Sequence, residues 1–157
     1  MDRVELAGAL RGMPPKDAAR GVPAARVGEV FPGREIREGT PLARVRALCL
    51  AFPGTQERVS HGEPCWWAGG RKMFVVTSQH HHDDRVGFWA AAPEGVQGVL
   101  VAAEPARYFR PPYVGSRGWV GVHLDIEDVD WDRVEGVIED AWRQVAPRRL
   151  VAAHDAG

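Results

Sequence analysis

Residues 65–77 read Cys65-Trp66-Trp67-Ala68-Gly69-Gly70-Arg71-Lys72-Met73-Phe74-Val75-Val76-Thr77. Two apolar runs flank a Gly-Gly pair, and glycine reaches positive φ without a Cβ clash. This pattern marks an antiparallel hairpin. The spacing predicts strands over 66–68 and 72–77. Upstream, residues 56–60 read as a further short strand. Downstream, the polar run His80-His81-His82-Asp83-Asp84 leads to a strand over 85–89. A last strand is expected over 118–124, where Val120, Val122 and Leu124 fall on one face and Trp119, Gly121 and His123 on the other.

Helices bracket this sheet. Thr40 suits an N-cap and Pro41 the first helical position, before Leu42, Val45, Leu48, Cys49 and Phe52 recur at helical spacing. Pro53-Gly54 ends that helix. Pro93 opens a second, with Val96, Val99, Leu100 and Ala103 on one face and Glu104-Pro105 closing it. In the third, Asp130 is the expected cap, and Trp131, Val134, Ile138, Ala141, Trp142 and Val145 form the stripe. Pro147 is expected to end it, with Arg143, Arg148 and Arg149 as the bases near its C-terminus, where the helix dipole favours them. The order of elements gives an α+β class, with an antiparallel sheet and helices packed on one face.

The chain has 157 residues, is 45% hydrophobic and 26% charged, and carries a net charge of −1. Those values exclude a wholly disordered or fibrous chain. They also speak against a generic polyanion binder, whose pI is usually above ~9. Two cysteines, Cys49 and Cys65, cannot build a disulfide framework, so a reducing compartment is expected. No apolar run is long enough for a membrane span, and the first residues lack the apolar core of a secretory signal; a cytoplasmic location is expected. Residues 1–40 hold Pro14, Pro15, Pro23 and Pro32 and no sustained apolar stripe beyond Val4, Leu6 and Leu10. They are expected to be a disordered tail or to follow a start assigned too early, Met13 being an alternative; a partner-binding arm is the third reading. The domain is expected over 41–153, with a short tail over 154–157.

The near-zero net charge is a cancellation. Between Glu63 and Asp83 there is no acid, but there are Arg71, Lys72 and three histidines. Between Glu104 and Asp125 there is again none, but there are Arg107, Arg110 and Arg117. From Asp125 to Asp140 eight acids face only Arg133. His61 and Cys65 are close in sequence, yet Pro64 intervenes and no acid at a telling spacing would orient a nucleophile–base pair. Adjacent imidazoles at 80–82 diverge, so a weak, adventitious metal site is the most they suggest. No phosphate-binding, dinucleotide or metalloprotease motif is present. No catalytic group, cofactor or metal is therefore expected.

Several segments together resemble a known family. They are Phe52-Pro53-Gly54, Ser60-His61-Gly62-Glu63-Pro64, Gly69-Gly70-Arg71-Lys72-Met73-Phe74, Arg107-Tyr108-Phe109, and Pro112-Tyr113-Val114-Gly115-Ser116-Arg117-Gly118-Trp119-Val120-Gly121-Val122. With Val129-Asp130-Trp131 and Ala146-Pro147-Arg148-Arg149-Leu150, the chain is similar to MmcQ/YjbR-like proteins over about residues 42–151. The resemblance implies a YjbR/CyaY-like fold with two β-hairpin wings, the "double wing", and a non-catalytic DNA-binding role. Arg71, Lys72, Arg110 and Arg117 would meet phosphates, and Tyr113 or Trp119 would pack on sugar or base. Contact with DNA would be weak and salt-sensitive. The alternative is a small-ligand- or protein-binding module using an aromatic sheet face near Tyr113 and Trp119.

Overall fold

Six antiparallel strands, taken in the spatial order β1-β2-β3-β4-β6-β5, organise the chain in a computed structural model that describes residues 29–80 and 83–157. The strands are β1 (Thr55–Ser60), β2 (Glu63–Ala68), β3 (Lys72–Gln79), β4 (Val86–Ala90), β5 (Tyr108–Phe109) and β6 (Val120–His123). The helices are α1 (Pro41–Leu50), α2 (Val96–Ala103), α3 (Trp131–Val145) and α4 (Arg148–Ala156). The fold is α+β. The expected tail reading for Val4, Leu6 and Leu10, and for Met13, lies outside the described residues.

Local chemistry explains most boundaries. Thr40 Oγ1 accepts from the Ala43 N–H, and Asp130 accepts from the Arg133 N–H at 3.1 Å, so both expected caps form. His61 and Gly62, with φ of 51° and 78°, make the two-residue turn between β1 and β2. Gly62 has a second constraint: the Phe31 ring lies where its Cβ would be. Gly69 and Gly70, both at positive φ, turn the chain from β2 into β3 as the sequence predicts.

Register defines two sheet faces. Glu57, Trp66, Val75, Ala90 and Val120 form one transverse row, followed by Thr77, Phe88, Val122 and Tyr108. Arg46 of α1 reaches Glu57 with a two-pronged pair at 2.8 Å, which sets α1 on this face. α3 packs beside α1 and across β3, burying Val134, Ile138, Ala141 and Trp142. Val120, Val122 and Leu124 thus point to the helices as their alternation predicts. The opposite row, Cys65, Val76 and Trp89, is buried too. Trp66 and Trp67 straddle a bulge, and both are buried: Trp66 Nε1 donates to Glu57 at 3.0 Å, and Trp67 Nε1 donates to the Cys65 sulfur at 3.4 Å.

Three expectations change. Pro147 does not end the helical region; it precedes α4, so Arg148 and Arg149 start a new helix and the expected 154–157 tail is helical to Ala156. His154 packs on Phe52 and Trp142, with centroids 5.3 and 5.2 Å away. Residues before 41 also meet the sheet. Phe31 N–H donates to the Gly62 carbonyl at 2.9 Å, and buried Arg34 pairs with buried Glu63 at 3.3 Å. Finally, Val99 leaves the core. It is 68% exposed, and among the α2 residues only Leu100 is buried.

Candidate functional site

The two ends of the sheet differ in charge, and the register fixes which residues meet at each. One end holds the Gly69–Arg71 turn, the close of β4 and the segment between β5 and β6, through the pairs Ala68–Lys72, Ala90–Val120 and Phe109–Gly121. The other end holds the β1–β2 turn, the β3–β4 loop and the residues after β6, through Ser60–Glu63, Gln79–Val86 and Gly87–His123. Arg71, Lys72, Arg110, Tyr113 and Arg117 therefore all belong to the first end.

α4 adds to that end two bases that the sequence reading assigned to the end of α3 rather than to the phosphate contacts. The Pro147 ring and Leu150 lie against Gly69, so closely that a Cβ on Gly69 would stand 2.7 Å from Pro147 Cγ. Arg148 and Arg149 sit between those two contacts and are exposed, as is Arg71, with Lys72 half-buried. Arg58 approaches the same turn, donating to Gln56 and lying 4.7 Å over the Trp67 ring. Arg143 is committed instead to Asp155 at 2.7 Å and Glu139 at 3.2 Å.

The segment between β5 and β6 is shaped by one strained residue. Tyr113 has φ 62° and ψ −70°, and Val114 N–H donates to the Pro112 carbonyl at 2.7 Å. This is the γ-turn of the rarer hand, which an L-residue adopts only when its surroundings hold it. Val114 is fully buried, and Ser116 Oγ donates to the Tyr113 carbonyl at 3.1 Å, so the turn is clamped on both sides. The Tyr113 side chain is 41% exposed. Arg110 folds over Gly115, where a Cβ would stand 2.7 Å from Arg110 Cγ. Arg117 is exposed at the close of the short helix Val114–Arg117.

Trp119 is a correction. It is only 2% exposed and packs in the core, with its carbonyl accepting from Gln97 Nε2. An indole so placed offers no face to a base, and of the two aromatics in the alternative reading only Tyr113 stays exposed. Trp67 and Trp89 are buried as well. Alternation assigned Trp119 correctly to the face away from Val120; it could not show that this face is also covered.

Acids gather at the opposite end. Arg85 makes a forked pair with Asp125, at 2.9 Å from Nε to Oδ2, and this holds the Asp125 carboxyl below its ordinary range. Arg107 reaches Asp128, and α3 begins three residues later. Next to them a buried polar group was not foreseen. Glu63 accepts from Thr77 Oγ1 at 2.6 Å, the Gln79 N–H at 3.1 Å and Gln79 Nε2 at 3.2 Å, besides its pair with Arg34. The partners lie far apart in sequence, so spacing carried no signal for them.

Cys65 behaves as a core residue. It is fully buried, and burial, offset in part by the Trp67 N–H, pushes its thiol up to about 12. A thiol so raised is protonated at neutral pH and a poor nucleophile. His80 is exposed at positive φ, while His81 and His82 lie outside the described residues. Among the described residues, no helix is long and apolar enough to cross a membrane.

Comparison with known proteins agrees with this architecture. The crystal structure of the Deinococcus radiodurans protein DR2400, family-model domain DUF419, superposes with a TM-score of 0.55 at 15% identity, over 66% of this chain and 76% of that one. Uncharacterised proteins of Mycobacterium bovis and Mycobacterium tuberculosis are 28% identical, over 69% of this chain and 91% of theirs. The YjbR family model matches residues 50–144, from the end of α1 to the last turn of α3, and the chain belongs to the YjbR family.

Proposed function

We propose that the chain is a non-catalytic DNA-binding protein that meets the duplex with the basic end of its sheet. One observation carries this reading: Pro147 and Leu150 dock on Gly69, which brings the chain at Arg148 and Arg149 beside the turn that carries Arg71 and Lys72. Arg110 and Arg117 flank them across the sheet end, and Tyr113 supplies an exposed ring. In the double-wing description, the β2–β3 hairpin would be one wing, and the segment leading into β6 would approach the duplex beside it. Phosphates are the natural target of exposed cations.

Binding is expected to be weak and steeply salt-dependent. About four phosphate contacts give a slope near −3.6, hence a loss of roughly 150-fold between 50 and 200 mM salt. Fluorescence anisotropy with a labelled duplex at those two salt concentrations tests it. Arg71→Ala with Lys72→Ala, and separately Arg148→Ala with Arg149→Ala, should each weaken binding and flatten the slope by about 2. Absence of binding at 50 mM salt, or affinity untouched by both pairs, overturns the reading.

A further inference from the structure

Tyr113 stands where a glycine would be free of strain. Its φ of 62° and ψ of −70° cost an L-residue free energy, because Cβ crowds the backbone there. Core packing does not call for its ring, which is 41% exposed. The backbone on either side is nonetheless fixed. Pro111, Val114 and Gly115 are buried, and Pro112 has its φ locked by its own ring. With the Val114 N–H on the Pro112 carbonyl and the Ser116 hydroxyl on the Tyr113 carbonyl, the turn has one shape. An aromatic ring is thus carried outward by a rigid turn, at the sheet end that also exposes Arg110 and Arg117.

A ring held in this way suits one kind of contact. In a paired duplex the base faces are covered by their neighbours, and only base edges line the grooves. An aromatic side chain gains most from a base face, which opens where a base lacks a partner or where a step is pried apart. Prying a step apart costs free energy, and least where the base is already unpaired. The turn is set before any contact is made, so little further ordering is needed on binding.

We propose that Tyr113 stacks on an unpaired base, so that the chain favours duplex DNA interrupted by an unpaired nucleotide over a fully paired duplex. On the DNA-binding reading, from which this follows, the cations hold phosphates of the flanking duplex and the Tyr113 ring selects the interruption. Every base has a face to stack on, so the preference follows the interruption and not the sequence around it.

Fluorescence anisotropy at 50 mM salt tests this with two labelled probes: a paired duplex, and the same duplex with one unpaired nucleotide at its centre. The interrupted duplex should bind at least about fivefold more tightly, the least that one base–aromatic stack supplies. Tyr113→Gly removes the ring and accepts the positive φ, so it should abolish that preference while the chain stays folded. Tyr113→Phe keeps the ring and should keep the preference. Neither change alters charge, so the salt slope on the paired duplex should stay that of the unaltered chain. A fluorescent purine placed as the unpaired nucleotide should be quenched by the unaltered chain and not by the Tyr113→Gly variant. Equal affinity for the two duplexes, or a preference that survives Tyr113→Gly, overturns the stacking role and leaves the phosphate contacts standing. Absence of binding to either duplex overturns both.

Discussion

Arg34 is only 6% exposed, and the Glu63 it pairs with is 2% exposed. A buried pair is a poor source of net stability, but removing one member strands the other charge at a cost of about 3–5 kcal/mol. Glu63 has three further donors, from Thr77 and Gln79, which soften the loss. Arg34→Met should therefore cost about 3 kcal/mol in urea unfolding, and adding Glu63→Gln should restore part of it. A second residue governs pH response. Burial first, and Arg85 second, lower His123 from the ordinary 6.5; its ring stacks on Phe109 with centroids 4.5 Å apart. The folded state resists the proton that the unfolded chain accepts. Stability is thus full above about 6.5 and falls as the pH drops from there through the lowered folded value. His123→Gln should flatten the decline in thermal midpoint between pH 7 and 5; an unchanged decline would assign it to other groups.

Elements differ in how plainly their residues announce them. α1 and α3 carry a cap, an apolar stripe and a stop, and the Gly69-Gly70 hairpin carries its own turn chemistry, so all three are legible. α4 is not. It has no buried residue and no stripe, and its first residues look like the basic end of α3. Its place comes from Pro147 and Leu150 meeting Gly69, a contact between segments almost eighty residues apart. For the same reason Arg71 and Lys72 can be picked out as candidate contacts from the acid-free stretch alone, whereas Arg148 and Arg149 join them only in the fold. Trp119 fails in the opposite direction: its position in the alternation is right, but burial of both faces removes it from the surface. The Gly69 contact is itself testable. Gly69→Ala adds a methyl into the Pro147 ring and holds alanine at φ 62°, which alone costs about 1–2 kcal/mol. Hydrogen exchange should then accelerate over Arg148–Ala156 more than over β2 and β3. DNA affinity should fall with it, although no charge has been removed.

Across the whole molecule, the charges are sorted along the strand direction. β3 runs from Lys72 at the basic end to Gln79 at the acidic end, about 25 Å at strand rise. α3 spans a similar length, from the acids around Asp128 and Asp130 to Pro147. A net charge of −1 thus conceals a dipole. At 0.15 M salt the screening length is about 8 Å, so a duplex held at the basic end lies some three screening lengths from Glu127 and scarcely senses it. At 0.01 M the length grows to about 30 Å, and the acidic end then repels the duplex as a whole. Glu127 is exposed at that end, just beyond the Arg85–Asp125 pair, so changing its charge leaves the folded core alone. Glu127→Lys should strengthen DNA binding several-fold at 0.01 M salt and leave it within error at 0.15 M, read by the same anisotropy titration. A gain of equal size at both salt concentrations would mean that the duplex contacts the end near Asp125 and Asp128, and that Arg71, Lys72, Arg148 and Arg149 are not its seat.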